Sequence, residues 1–338
     1  MSTAVKSIFG PYAEGGNLQL VVNNSASRFT IGWFQKYFTW AAPQVGLTYV
    51  SAIGRSRVEA AATIIDRDSL APLRSRPPLE KLNGEIPAMA EKFRMSQSDV
   101  RDFLTLQNMT GVDEATKRNQ ILEFMFNDIK KVADAPISRL DIMCLQAISE
   151  GKISVNITNN PDGLVMSDID LLMSSDNKIN GAVTWATAAT ATPITDIQTV
   201  INAAQAKGVS FDKILMSRSL WFKMIKTKEV TDTMTAYFYG PKPGTGFNPT
   251  GVTTLNSINQ YMSDNQFPMI ELIDEARSIE KDGVLQTINP FNQNNVSFIP
   301  NGTLGTIKNA IAIEQLKPVE QVSYAVQNHV LISKWGQN

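Results

Sequence analysis

The sequence predicts a mixed α+β protein, and three stretches carry that expectation. Residues 113–151 repeat apolar side chains at helical spacing over more than one ordinary helix. Residues 192–225 alternate capped helical segments with a short apolar strand. From 269 onward the apolar runs are short and strand-like, at 269–273, 296–299, 309–313 and 321–333. At 338 residues the chain exceeds one typical core, so two subdomains are expected.

Residues 1–45 read as irregular, punctuated by Gly10-Pro11, Gly15-Gly16 and Asn23-Asn24, with one short strand expected over Leu18–Val22. Six aromatics follow within twelve residues: Phe29, Trp33, Phe34, Tyr37, Phe38 and Trp40. A thin arm cannot bury them all, so they pack either against another part of the fold or against another subunit. Leu47–Val50 and Ala62–Ile65 alternate in the strand manner around a polar Gly54-Arg55-Ser56-Arg57 tip, which predicts a long, projecting hairpin. Residues 66–94, broken by Pro72, Pro77, Pro78 and Pro87, read as a solvated connector or a subunit-facing strip.

The clearest helix follows. Ile121, Met125, Ile129 and Val132 share a stripe, and Asp113-Glu114 suit the positive end of the helix. Beyond Pro136 the stripe continues through Ile137, Leu140, Cys144, Ala147 and Ile148 to Gly151, a natural C-cap. The expectation is one long kinked helix or two in series, with Cys144 a core side chain. Lys152–Ile157 reads as a strand and 158–192 as turns. Thr192 and Pro193 open a helix that buries Ile194, Ile197, Val200, Ile201 and Ala204 and stops at Gly208. Phe211–Met216 reads as a strand, and Ser217 caps a short helix carrying Leu220, Trp221, Met224 and Ile225. Residues 239–252 hold too much Gly and Pro for regular structure.

Chemistry is sparse. Basic and acidic residues number 31 and 32, so there is no electrostatic footprint for nucleic acid. Cys144 is the sole cysteine, which leaves no intramolecular disulfide and no thiolate metal site, and His329 is the sole histidine, which removes most catalytic triads, zinc sites and proton shuttles. Gly240–Gly246 lacks the Gly-Lys-Ser/Thr close of a phosphate loop. Asp66 and Asp68 share a strand face but have no third ligand, so a surface ion pair is the expected role. No catalytic, cofactor-binding or metal residues are assigned and no cofactor is expected. Neither a signal peptide nor a membrane span is visible.

Four motifs in order carry a resemblance. Cys144–Ile153 ends a helix in Leu145, Gly151, Lys152 and Ile153. Trp185 precedes Pro193-Ile194-Thr195-Asp196-Ile197. Gly208 precedes Lys213–Ser217 and Trp221. Phe298-Ile299-Pro300 runs into Gly302, Leu304 and Gly305. Together they resemble the lambda-like major capsid proteins of tailed phages, phage capsid family E, with the Hong Kong 97-like fold. The chain departs from the family pattern at Phe211, which stands in its usual proline region.

That resemblance implies an N-terminal arm at 1–44, an extended loop at 45–75 and a peripheral domain at 76–189 with its spine helix at 112–151. An axial domain at 190–295 and C-terminal strands at 296–338, returning to the peripheral domain, complete it. It implies an icosahedral head of hexamers and pentamers enclosing double-stranded DNA, a virion location and assembly in the host bacterial cytoplasm. Scaffolding and portal proteins are the implied partners, and a decoration protein is left open. By position, Trp33, Phe34 and Trp40 in the arm and Arg55 and Arg57 at the hairpin tip are candidate interface residues. The alternatives are a cellular nanocompartment shell of the same fold, or a ligand-binding protein or enzyme using loop 239–252.

Overall fold

A computed structural model of the chain describes residues 17–54, 79–240, 253–320 and 322–335. The first element is a helix, α1 (Asn17–Asn24), in place of the expected strand. Leu18 and Val22, four apart, are fully buried, whereas Leu20 between them is largely exposed. A strand would have set all three on one face, and so short an apolar run cannot distinguish the two periods. After β1 (Phe38–Trp40) comes β2 (Thr48–Gly54), which pairs with β3 (Leu79–Glu85). The strand paired with β2 therefore comes from the stretch read as a connector. Pro87 lies just beyond the end of β3, where a missing N–H is tolerated, so it bounds the strand rather than forbids it. The return strand expected at 62–65, Arg55, Arg57, Asp66 and Asp68 lie outside the described residues.

Helix α2 (Gln97–Gln107) opens with a capping box in which Ser96 and Asp99 each bond the other's backbone N–H. Helix α3 (Glu114–Glu150) runs 37 residues without a break through Pro136, so the one-helix form holds. The Asp113 carboxylate accepts the Thr116 N–H at its start, and Gly151 at φ +70° closes it. Strands β4 (Lys152–Ile153) and β5 (Ile169–Asp170) pair antiparallel. β4 is shorter than expected because the Asn156 side chain accepts from the Thr158 and Asn159 N–H groups and turns the chain.

Helix α4 (Pro193–Gln205), strand β6 (Phe211–Ser217) and helix α5 (Arg218–Met224) follow the sequence reading, with Ser217 accepting the Leu220 N–H as N-cap. Helices α6 (Lys228–Tyr239) and α7 (Leu255–Asp264) come next, then β7 (Met269–Ile273). Strands β8 (Arg277–Lys281) and β9 (Val284–Ile288) form a hairpin about Asp282-Gly283, both at positive φ. Strands β10 (Val296–Pro300) and β11 (Gly305–Ile307) precede α8 (Ile313–Leu316), which replaces the strand expected at 309–313. There the strand pairing ends in a single bridge between Gln44 and Ala310, and the chain turns on a bond from Gln315 N–H to the Ala312 carbonyl. The last apolar run is two strands, β12 (Ser323–Gln327) and β13 (Val330–Lys334), folded about Asn328-His329.

The chain divides into two compact units. The first comprises 1–49, 84–141 and 305–338. In it Leu18, Val22 and Phe29 bury against Phe126, Ile129 and Ala133 of α3 and against Ala325 and Ile332 of the final hairpin. Strand β1 pairs parallel with β11. The Gln19 amide accepts from Val326 N–H and donates to its carbonyl, occupying that edge of β12.

The second unit comprises 50–83 and 142–304. Its sheet has the order β10-β6-β7, with β6–β7 parallel and β10–β6 antiparallel. Ile194, Ile197 and Ile201 of α4, Trp221 of α5, Met234 of α6 and Met262 of α7 pack on Ile214, Met216 and Ile270 of that sheet. Strand β10 is hydrogen-bonded to β6, and the first unit resumes at Gly305. Phe211, the departure from the family pattern, meets Phe298 of β10 with ring centroids 5.2 Å apart.

Candidate assembly site

Among the described candidate residues, the structure brings Trp33, Phe34 and Trp40 together in the first unit. Trp33 and Phe34 are buried within the subunit itself, and Trp40 is half-buried. Of the two readings of the aromatic cluster, packing against the chain's own fold accounts for the first two. Gly32 makes this possible: a Cβ there would stand 2.3 Å from the Phe34 ring and 3.0 Å from Ile137 of α3. Phe34 meets Trp40 edge to face at 5.6 Å, and Trp40 lies over His329 at 4.4 Å between centroids. Asn309 and His329 Nδ1 are 2.9 Å apart, so the imidazole joins β1, the β11–α8 connection and the final turn.

One row of carboxylates on α3 fixes this segment. Glu123 takes the Arg28 guanidinium, whose carbon stands 4.3 Å from the centre of the Phe126 ring. Asp134 accepts the Thr30 N–H at 3.0 Å and its hydroxyl at 2.7 Å, and also pairs with Lys130. Asp141 accepts the buried Phe34 N–H at 3.0 Å. Positions 123, 134 and 141 are eleven and seven residues apart. At about 100° per residue they fall within roughly 20° of one line along the helix, spanning about 27 Å. The Arg28 bond pulls the Glu123 carboxyl below its ordinary range and raises the guanidinium in turn. Sequence reading found the apolar stripe of α3 and missed this polar one, although the spacing was there to be counted.

In the second unit, three residues ahead of and within β10 satisfy the end of α3. Ser297 Oγ donates to the Ile148 carbonyl at 3.0 Å, Asn295 Nδ2 to the Ser149 carbonyl at 2.7 Å, and Asn292 Nδ2 to the Glu150 carboxylate at 2.9 Å. The sequence motifs at Cys144–Ile153 and Phe298–Gly305 therefore adjoin one physical junction. A third motif is tied within itself: Trp185 Nε1 donates to Asp196 at 2.8 Å, which fixes the tryptophan to the first turn of α4. Thr192 makes no side-chain cap there. The Glu229 carboxylate from α6 accepts the Ile194 and Thr195 N–H groups at 2.7 and 3.2 Å instead.

These are positioning contacts. Among the described residues no group of His, Cys, Asp and Glu is arranged to hold a metal ion, and no helix is long and apolar enough to cross a membrane. Cys144 is buried on α3. Of loop 239–252, residues 241–252 lie outside the described residues.

A family model described as phage major capsid protein E matches residues 29–331. The chain belongs to that family. The match begins at Phe29, in the segment held by α3, and ends inside β13. No curated protein matches the chain. Among solved structures it is similar to a prophage protein of E. coli CFT073 assigned as a capsid protein, at 12% identity, covering 94% of this chain and 91% of that one, with a TM-score of 0.45. The capsid protein is an α+β shell subunit that assembles with copies of itself and resides in the virion. The contacts described above form the folded unit from which such a shell is built.

Proposed function

We propose that the capsid protein is the major head subunit of a tailed phage, tiling an icosahedral shell of hexamers and pentamers around double-stranded DNA. The observation that carries this is the family match over 29–331, from the arm aromatics to the final hairpin. In this reading 1–44 is the arm, 45–75 the extended loop, 76–189 the peripheral domain, 190–295 the axial domain and 296–338 the returning strands. The near-balance of 31 basic and 32 acidic residues supports enclosure of DNA without sequence-specific binding. The protein acts by assembly and not by catalysis. Scaffolding and portal proteins are its partners in the host bacterial cytoplasm. Trp40, Arg55 and Arg57 meet neighbouring subunits, while Trp33 and Phe34 hold the arm in place from inside.

The chain should be expressed alone and with a scaffolding partner, and the particles imaged by negative-stain electron microscopy. Closed shells, tubes or rings of five and six are expected. Dispersed monomers under both conditions would overturn the proposal. The double substitution Arg55→Glu with Arg57→Glu should lower shell yield and leave the subunit folded; normal shells would remove the hairpin from the interface.

A further inference from the structure

Five aliphatic side chains of the first unit face outward along one stretch of chain pairing. Val45 and Leu47 are 68% and 54% exposed, and Ile313, Leu316 and Val319 are 73%, 52% and 57% exposed. The parallel pairing that begins at Phe38–Gly305 ends at the Gln44–Ala310 bridge, so Val45 and the approach to α8 both leave from that one end of the pairing. Ile313 and Leu316 lie three apart on the four-residue α8, and Val319 follows three residues beyond its end. Every residue from 313 to 320 is exposed. The segment is nevertheless held at both ends. Ile311 N–H donates to the Gln44 carbonyl at 2.8 Å, and Val319 N–H donates to the Tyr324 hydroxyl at 3.2 Å.

Burying an aliphatic side chain contributes about 1.5–3 kcal/mol, so a chain that fixes three of them outward in eight residues leaves a large gain unclaimed within the subunit. Single exposed aliphatics are ordinary, but a held row of them marks an interaction surface.

We propose that this patch is a contact between copies of the chain, the same stripe on a neighbouring subunit being its occupant. Two features point to a second copy. Glu314, Lys317 and Glu320 interleave with the aliphatics. Each copy therefore offers both signs, and a stripe meeting its own image can oppose Lys317 to a glutamate, as a self-complementary interface requires. The area is the second. Five half-exposed aliphatics make a patch of a few hundred Å2, short of the roughly 800 Å2 per partner that a stable free dimer buries. Such a contact is too weak to hold two subunits in solution and gains force when repeated through a closed shell. The proposal rests on the shell reading above and adds to it the surface used.

Leu316→Asp and Leu47→Asp should each raise the subunit concentration needed for assembly about tenfold or more, the effect of losing one buried aliphatic. Both sites are exposed in the free subunit, so its thermal melting should not move. Lys317→Glu should weaken assembly and the double change Glu314→Lys with Lys317→Glu should restore it. Because Cys144 is buried, Leu316→Cys supplies a single accessible thiol, and mild oxidation of shells should give covalent dimers. Wild-type particles in the same preparation report separately on the shell reading. Unchanged assembly of both aspartate variants, or absence of the Leu316→Cys cross-link in intact shells, would overturn the proposal. So would a lower melting temperature of the unassembled Leu316→Asp chain, which would assign the patch to cover within its own subunit.

Discussion

The Phe34 backbone N–H donates to the Asp141 carboxylate at 3.0 Å, and both residues are shut away from solvent. The bond joins residues 107 apart in sequence and seats the segment around Phe34 on α3. A buried donor without an acceptor costs about 1–3 kcal/mol. Asp141→Ala should therefore destabilise the unassembled subunit by that amount in a urea melt. Asp141→Asn keeps an acceptor oxygen and should cost less. Equal losses for the two would show that the Phe34 bond contributes nothing.

At α4 the cap comes from an unexpected residue. Glu229 bonds the first two N–H groups after Pro193, whereas Thr192 makes no side-chain cap. Glu229→Ala should cost about 1–2 kcal/mol, the range for a lost N-cap. Glu229→Gln keeps the acceptor and loses only the charge at the positive helix end, about 0.3–1 kcal/mol. Thr192→Ala should leave the melt unchanged. A large loss from Thr192→Ala with none from Glu229→Ala would reverse the assignment.

That exchange of caps shows where sequence reading succeeds and where it stops. The helix starting at Pro193, the Ser217 cap, the Gly151 stop and the strands at 211–216, 269–273 and 296–299 depend on side chains a few residues apart, and these were legible. The Glu229 cap lies 35 residues from Ile194, and no local pattern announces it. Strand β3 was hidden because its sequence, LEKLNGE, spaces its two leucines three apart and offers no apolar–polar alternation to read. The Leu18–Val22 run was too short to separate helix from strand. As for the candidate site, aromatic density marked the right segment. It did not tell burial inside the subunit from burial against a neighbour, because both require the same apolar residues.

His329 lies at φ +64° in the final hairpin, directly after Asn328 at φ +46°. Residues with a Cβ strain there, by about 1 kcal/mol or more. His329→Gly and His329→Ala both remove the ring that lies over Trp40 and its bond to Asn309. Their difference therefore isolates the backbone. The glycine variant should be the more stable of the two by about 1 kcal/mol, measured by thermal melting of the unassembled subunit. An alanine variant of equal or higher stability would show that the turn relaxes out of the left-handed region.

Lys334, paired with Ser323 in the β12–β13 ladder, gives the subunit a pH dependence with a definite sign. Burial lowers its pKa to about 8 from the ordinary 10.5. Between those values the unfolded chain holds the proton and the folded chain has released it. The unfolded state then binds more protons, so this group's contribution makes stability rise with pH across the window. Below about 8 the ammonium is charged in both states and its desolvation opposes folding in full. Above 10.5 both states are neutral and the penalty is gone. Lys334→Met removes the titration while keeping a long apolar stem. The stability difference between variant and wild type should therefore be most favourable to the variant near neutral pH and shrink as pH rises through the window. Urea melts of both chains at about pH 7 and about pH 10 measure it. A difference that stays constant between those two conditions would show that Lys334 titrates as a solvent-exposed lysine does, and one that grows would show that folding raises its pKa.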